Sequence, residues 1–285
     1  MGSPAVSERG VSILQSGRHW RMALTAVLLA VCYAPVLGGM FDQWSHDEDM
    51  GHGFVVPIVV LWIVWRERKR WIALPPQPSW WGVALLALAA GMHFMSVAGA
   101  GLFAGSVAFL VSVAGAVLCL GGFAFLRTWT LPFLLALFML PKLAVVYNQV
   151  TLPLQLLASR LAELMLLAGG AAVTREGNII DVGGHSIAVA EACNGIRYLL
   201  SLGFVVVVFA YLADAKSWMR LALLASAIPV AILANAVRVA ASASIPALDS
   251  GVPHALAGGL VFVLCLVMLV LVRRVVNATY TRYHA

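Results

Sequence analysis

Long runs of apolar residues, separated by short polar stretches, cover most of the chain. A helix that crosses a bilayer needs about 20 mostly apolar residues. The runs therefore predict an all-α integral membrane protein with about eight transmembrane helices. The predicted spans are 22–38, 53–65, 81–98, 102–121, 129–146, 196–213, 218–241 and 254–272.

A further apolar stretch, Leu152–Ala168, differs from the predicted spans because it contains Gln155, Arg160 and Glu163. Helical spacing places these polar side chains near one face. That pattern is typical of an amphipathic helix that lies in the membrane interface. A ninth membrane span is the alternative interpretation.

The stretch before Cys193 is the one with strand character. The runs 174–181 and 185–190 are rich in β-forming residues and flank Gly183-Gly184. A Gly-Gly pair between two such runs is a hairpin signal. We therefore expect a small β-hairpin on the outer face that leads directly into Cys193.

The distribution of basic residues predicts the orientation, because Lys and Arg favour the cytoplasmic side. With eight spans and cytoplasmic termini, most of them lie in the cytoplasm. A ninth span would move Lys216, Arg220 or the Arg273–Arg274 pair to the opposite face, so charge favours eight. The basic residues left on the outer side are Lys142, Arg160, Arg175, Arg197 and Arg238. The predicted organisation is a cytoplasmic segment 1–21, a polytopic membrane domain 22–272 with an outer segment 147–195, and a cytoplasmic tail 273–285.

The composition agrees with this class. The chain is 62% hydrophobic and 11% charged, with a mean hydropathy of +0.95, whereas soluble domains have roughly 25% charged residues. The net charge of +6 could suit nucleic acid. However, the positive charges lie at helix ends, where membrane orientation explains them. We expect membrane lipids and no nucleic acid as partners. The first apolar run, Met22–Gly39, is expected to stay in the membrane as a start-transfer helix.

Of the four cysteines, Cys193 alone has a polar sequence context, Glu191-Ala-Cys-Asn-Gly-Ile-Arg197. It precedes the sixth predicted span and so lies near a helix N-terminus, where free N–H groups and the helix dipole favour an anion. A thiolate is the nucleophilic form of cysteine. The alternative is an incidental small residue at a helix start.

Two ionisable residues lie in or at the last two predicted spans. Arg238 is inside the seventh, where an arginine costs roughly 2.5–3.5 kcal/mol on insertion scales and is a functional candidate. Asn235 lies three residues earlier on the same face, which indicates a polar cluster, although Arg238 could instead snorkel to the interface. His254 opens the eighth span, where the dipole favours a neutral imidazole that can accept a proton. An ordinary interfacial histidine is the alternative.

The last three predicted spans alternate in direction. The start of the sixth, the end of the seventh and the start of the eighth therefore lie at one membrane face. Cys193, Arg238 and His254 are expected to meet there. A thiol nucleophile, a cation that stabilises an oxyanion and a general base are what acyl transfer requires.

These blocks resemble the signature blocks of the exosortase family. The similar segments are Trp44, His52-Gly53, Phe138–Pro141, Leu154-Gln155, Arg175–Asn178, Glu191–Arg197, Asn235–Arg238 and His254. The resemblance runs from about residue 40 to the C-terminus. Two departures are visible: Asn194 stands where serine is common, and Met50-Gly51 replaces the usual Tyr-Ser before His52.

The resemblance implies a multi-pass protein of the bacterial inner membrane, a cysteine endopeptidase or transpeptidase with its active site on the periplasmic face. Its substrates would be exported surface proteins with a C-terminal sorting tail: a Pro-Glu-Pro-type motif, a spanning helix and a basic cluster. A cell-surface glycan or lipid could be the acceptor. Cys193 would be the nucleophile, Arg238 the transition-state stabiliser and His254 the acid/base. Supporting or substrate-binding residues would be Glu191, Asn194, Gly195, Arg197, Asn235, His52 and Trp44.

Two other classes of protein share some of these features. The loop His46–Asp49 and His52 contain metal-capable side chains, but the His-Glu-x-x-His helix of metalloproteases is missing from the sequence, so we expect no metal and no cofactor. A transporter or flippase for a lipid-linked glycan would suit eight spans with an intramembrane arginine. It does not account for a cysteine that follows a hairpin on the face of Arg238 and His254.

Overall fold

The computed structural model describes residues 20–189, 195–213, 216–248 and 251–284, and these are mostly helical with one small sheet. The all-α class is confirmed. The chain divides into two units. The first is Met1–His46 with Gly53–Pro141, and the second is Asp47–His52 with Lys142–Ala285.

From residue 20 onward, where the structure describes the first unit, eight α-helices follow one another along the chain. They are α1 Trp20–Cys32, α2 Ala34–His46, α3 Val55–Arg66, α4 Arg68–Ile72, α5 Trp81–Met95, α6 Gly101–Gly121, α7 Phe123–Thr128 and α8 Thr130–Ala136. A bend of 69° separates α1 from α2. At this bend, the Tyr33 hydroxyl and the Ser112 hydroxyl of α6 are 2.8 Å apart and buried.

Helices α5 and α6 form an antiparallel pair, joined by the π-helical segment Ser96–Ala100. Their backbones approach closely at Gly82, where an added Cβ would lie 2.5 Å from the amide nitrogen of Cys119. Small residues at such contacts are typical of helix packing in membranes. The predicted spans 81–98 and 102–121 are therefore two separate helices.

The predicted span 129–146 is wrong as a single helix. Helix α8 and the 3₁₀ turn Leu137–Met139 end before Leu140, whose backbone is extended (φ −65°, ψ 140°). The next residue is Pro141, and a proline disfavours helical geometry at the residue before it. The chain becomes helical again at Ala144, in the second unit.

In its described residues, the second unit combines four α-helices with a three-stranded sheet. Its helices are α9 Ala144–Ala168, α10 Ile196–Leu212, α11 Ser217–Ser244 and α12 Gly251–His284. Helices α10 to α12 pack around a core that includes Leu202, Leu223, Ala231 and Cys265. A second core, between α9, α11 and the sheet, includes Ala162, Ile180, Ile187 and Val239.

The hairpin predicted at Gly183-Gly184 is confirmed. Strands β2 Ile179–Val182 and β3 His185–Ala188 pair antiparallel across these two glycines. Both glycines have positive φ, 62° and 87°, as a two-residue type I′ turn requires. The Asp181 carboxylate stabilises this turn, because it accepts hydrogen bonds from the Ser186 hydroxyl and the Gly184 amide, and these bonds lower the pKa of Asp181.

The run 174–181, predicted as one strand, contains a turn. Strand β1 Val173–Glu176 ends at Gly177 and pairs antiparallel with β2, so the sheet is a meander in the order β1-β2-β3. The overlooked signal was Gly177-Asn178, a pair that favours turns between two short strands.

Helix α9 begins at Ala144, eight residues before the predicted amphipathic segment. The three polar side chains on which the amphipathic prediction rested do not share one environment: Gln155 is buried, Glu163 is partly buried and Arg160 is exposed. The helix is long and apolar enough to cross a membrane. Its interfacial placement therefore stays a prediction.

Within the described residues, five helical stretches are long and apolar enough to cross a membrane, or six if the bent pair α1–α2 is one span. One of the five, Trp81–Gly121, contains both α5 and α6. The multi-pass membrane class is confirmed, and the total of eight spans stays a prediction. Helix α12 continues past 272 through the segment predicted as a cytoplasmic tail.

Candidate active site

Arg238 and His254 form a buried pair between α11 and α12. Arg238 is only 3% exposed, and its Nη2 donates to His254 Nε2 at 2.5 Å. His254 is the fourth residue of α12, as expected for a histidine at a helix start. The two residues predicted to share one end of the last helices are therefore in direct contact, and Arg238 does not snorkel away from the protein interior.

The hydrogen bonds of His254 assign its tautomer. Its Nδ1 lies 2.8 Å from the carbonyl oxygen of Leu248, so Nδ1 carries the hydrogen and donates it. Nε2 is then left with its lone pair, which accepts from Arg238. The same Leu248 carbonyl also accepts from the Ser242 hydroxyl at 3.2 Å. The imidazole is thus held with the lone pair of Nε2 facing the guanidinium.

Tyr198 of α10 completes the surroundings of the arginine. The Arg238 guanidinium carbon lies 5.8 Å from the centroid of the Tyr198 ring, within cation–π range. The Tyr198 hydroxyl donates to the Gly258 carbonyl of α12 at 3.3 Å. Gly258 is one turn after His254, and an added Cβ there would contact both Tyr198 and Arg238. The three helices therefore enclose the guanidinium.

The end of the cysteine block that the structure describes contacts the same helix as Arg238. Gly195 immediately precedes α10 and has a left-handed backbone, φ 84°. An added Cβ at Gly195 would lie 3.2 Å from Cγ of Asn235, which is 2% exposed and one turn before Arg238 on α11. The roles predicted for Glu191, Cys193 and Asn194 fall on positions outside the described residues. Gly195, two residues after the cysteine, is thus packed beside the polar face of α11.

A Gly195→Ala variant is expected to lose stability and activity together. The left-handed backbone costs an L-residue roughly 1–2 kcal/mol, and the new methyl group would press on Asn235 at 3.2 Å. Gly183→Ala is the matched control, because Gly183 also has positive φ but has nothing within 4 Å of its Cβ position. The thermal unfolding temperature in detergent should fall for both variants. The rate of substrate processing should fall only for Gly195→Ala. Equal processing by the two variants would contradict this prediction.

The motif Arg175–Asn178 fixes the segment that leads toward the cysteine block. Arg175 Nε donates to Glu163 of α9 at 2.7 Å, and its Nη1 donates to the Gly177 carbonyl. Two hydrogen bonds join Asn178 to Val189. The Asn178 carbonyl accepts from the Val189 amide at 2.8 Å, and the Asn178 side-chain amide donates to the Val189 carbonyl. The chain is therefore anchored on α9 and the sheet just before residue 190.

Arg197, a predicted supporting residue, binds two acidic side chains of the segment Asp47–His52. Its Nη2 lies 2.5 Å from the Glu48 carboxylate and its Nε lies 3.5 Å from the Asp49 carboxylate. Asp49 is 5% exposed and also accepts from the Tyr147 hydroxyl at 2.7 Å. Sequence reasoning missed Asp49 as a partner of Arg197.

Lys142 neutralises the other side of this acidic segment. Its ammonium lies 2.6 Å from Asp47 and 3.1 Å from Asp49. Burial opposes the charged form of Lys142, but the hydrogen bonds and negative charges of these two aspartates outweigh it and raise the pKa of Lys142. The carboxylates that could have suggested a metal site bind protein cations instead.

Trp44 belongs to the first unit and His52 to the second. Trp44 of α2 donates its indole N–H to the Met139 carbonyl at 3.1 Å and packs edge-on against Phe54. An added Cβ at Gly53 would collide with the Trp44 ring at 2.5 Å. Trp44, Gly53 and the Phe138–Pro141 block therefore form one structural contact in the first unit. His52 is partly buried in the 3₁₀ helix Glu48–Phe54 of the acidic segment.

The apolar helices and the buried polar pair define a multi-pass α-helical membrane protein with a polar centre among its last three helices. The family model for transmembrane exosortases (Exosortase_EpsH) matches residues 44–271. The chain therefore belongs to the transmembrane exosortase family, which indicates a membrane transpeptidase-type role. It matches no curated protein and no solved structure.

Proposed function

We propose that the chain is a membrane cysteine protease or transpeptidase that cleaves the C-terminal sorting tail of exported surface proteins. The tail would comprise a Pro-Glu-Pro-type motif, a spanning helix and a basic cluster. The proposed location is the bacterial inner membrane, with the reaction on the periplasmic face. The observation that carries the proposal is the buried Arg238–His254 pair, one turn from the Asn235–Gly195 contact.

Cys193 is the proposed nucleophile. Its thiol proton passes to Nε2 of His254, and its sulfur attacks the peptide carbonyl to give a tetrahedral oxyanion. His254 then protonates the leaving amine, and a thioester between Cys193 and the substrate acyl group remains. An amine or water gives a proton to His254 as it attacks this thioester. The C–S bond then breaks, the acyl group leaves on the attacking nitrogen or oxygen, and His254 returns the proton to the Cys193 thiolate. With water the outcome is hydrolysis, and with a surface acceptor it is transfer.

Arg238 has two successive partners in this proposal. In the free protein its Nη2 donates to the lone pair of His254 Nε2. When an oxyanion develops, a guanidinium N–H turns to that stronger, charged acceptor. The lone pair of Nε2 becomes available to the thiol proton at the same stage of the reaction. The hydrogen bond between Arg238 and His254 thus holds these two side chains together before the substrate binds.

The depth of Arg238 suits a substrate that is itself anchored in the membrane. Arg238 lies six residues before Ser244, the last residue of α11, or about 9 Å along the helix axis. A peptide carbonyl beside it would lie just inside one end of the helix bundle. This is where a polypeptide enters its own spanning helix, which supports cleavage next to a transmembrane tail.

Co-expression with a protein that carries such a tail tests the proposal. Replacing Cys32, Cys119 and Cys265 by alanine leaves Cys193 as the sole thiol. The variant whose sole thiol is Cys193 should cleave the substrate near the motif, and mass spectrometry should detect the new C-terminus. A membrane-impermeant maleimide, added from the outer side, should label Cys193 and stop the shortening. An unchanged substrate, or labelling of Cys193 without loss of processing, would contradict the proposal and favour the transporter class.

A further inference from the structure

We propose that Asp49 is a positioning residue for this reaction, because its carboxylate fixes Arg197 and thereby the start of α10, at the end of the cysteine block. This inference rests on the proposed function. Asp49 would act through another side chain rather than on the reacting atoms. Its effect would pass through Arg197, the second residue of α10 and four residues after Cys193.

The Asp49 carboxylate connects three separate parts of the second unit. Oδ2 accepts from the Tyr147 hydroxyl at 2.7 Å and from Lys142 at 3.1 Å, at the beginning of α9. Oδ1 faces Nε of Arg197 at 3.5 Å, on α10. The Asp49 amide is itself bound by the Asp47 carboxylate at 3.0 Å. A carboxylate with a cationic donor at each oxygen and a hydroxyl donor at Oδ2 is a rigid link between these parts.

Glu48 lies closer to Arg197 than Asp49 does, at 2.5 Å against 3.5 Å, but burial favours Asp49 as the partner that fixes Arg197. The Glu48 side chain, its other partner, is 74% exposed, and exposed ion pairs contribute little. The Asp49 side chain is 7% exposed, where water screens the charges less and loss of one partner leaves the other charges buried without compensation. Substitution of Asp49 should therefore displace the Arg197 guanidinium, whereas substitution of Glu48 should displace it little.

The first turn of α10 depends on tertiary contacts of this kind. Gly195, the residue before the helix, has no side chain that could cap it. Among the described residues, contacts of Gly195 with Asn235 and of Arg197 with the Glu48 and Asp49 carboxylates orient the turn. Because Cys193 precedes this turn by a few residues, a change in either contact should displace the thiol relative to its partners.

The test compares Asp49→Asn with Asp47→Asn, in a chain whose sole thiol is Cys193. Both variants remove one carboxylate charge and one Lys142 partner, but only Asp49 also contacts Arg197. Asp49→Asn should lower kcat for processing about 10–100-fold, the scale of a small misplacement of a reacting group. Asp47→Asn should stay within about fivefold of the parent. Equal losses in the two variants would overturn the inference.

A double-mutant cycle with Arg197→Gln shows whether Asp49 acts through Arg197. If it does, the double variant should lose no more kcat than the more damaging single variant. The rate at which an impermeant maleimide labels Cys193, corrected for folded protein, should change in the same non-additive way. Fully additive changes in both readouts would overturn the inference. The labelling cycle does not require catalysis, so it separates failure of this inference from failure of the proposed function.

Discussion

Replacing Cys193 by alanine is expected to leave the protein in the membrane at wild-type level and to abolish processing of the sorting tail. Loss of a catalytic nucleophile can cost about a millionfold in kcat. The Arg238–His254 pair cannot replace it, since a neutral imidazole and a guanidinium can polarise a carbonyl but provide no thiol for an acyl-enzyme. Processing is measured as the fraction of substrate with a new C-terminus after co-expression.

Cys32→Ala is the appropriate control for that experiment. Cys32 is exposed at the end of α1, so its removal should alter neither folding nor processing. Cys265 would be a poorer control, because it is fully buried in the core of α10 to α12, where a smaller side chain leaves a cavity. Processing at the wild-type rate by Cys193→Ala would exclude Cys193 as the nucleophile.

The proximity of Arg238 to His254 could be predicted because the alternating direction of the spans places both residues at the same membrane face. Successive helices that cross a membrane must alternate, so the end of one lies beside the start of the next. No side-chain detail enters that argument. The tautomer of His254 could not be predicted, since it depends on the Leu248 carbonyl, and Leu248 is an apolar residue in a connecting turn.

The link from Asp49 to Arg197 lies beyond what the sequence pattern can indicate. The two residues are 148 positions apart, and neither periodicity nor spacing specifies which acid meets which base. A weaker signal was present: the acidic segment and the cations Lys142 and Arg197 were all expected on the outer side. Opposite charges confined to one face favour contact, although they do not select the pairs.

The two errors in secondary structure have a common cause. Apolar character predicted one helix over 129–146, and β-forming character predicted one strand over 174–181. Each run contains a residue that interrupts the predicted element. Pro141 ends the first, because the residue before a proline avoids helical geometry. Gly177 turns the second, with φ 63°. A single proline or glycine can thus end a helix or strand even where the average hydrophobicity of the surrounding residues favours its continuation.

Arg238→Lys is expected to lower kcat by about 10²–10³-fold, the usual loss when one oxyanion donor is removed. Lysine retains the charge but not the planar fork of N–H donors. Its compact ammonium cannot first occupy the position of the Arg238 Nη2 atom beside His254 Nε2 and then present a fork of N–H donors to the oxyanion. The KM for the substrate should change little, because the interaction is made mainly in the transition state.

The stability of Arg238 variants should not follow their activity. Arg238 is almost fully buried, and replacing a buried ion with an apolar side chain of similar volume is often neutral or stabilising. Arg238→Met should therefore unfold at or above the wild-type temperature in detergent and yet process no substrate. Arg160→Lys, at an exposed arginine of α9, is the control and should match the wild type in both measurements. An Arg238→Met variant that unfolded early would mean that the arginine is retained for folding, whereas a stable and inactive variant assigns its buried charge to the reaction.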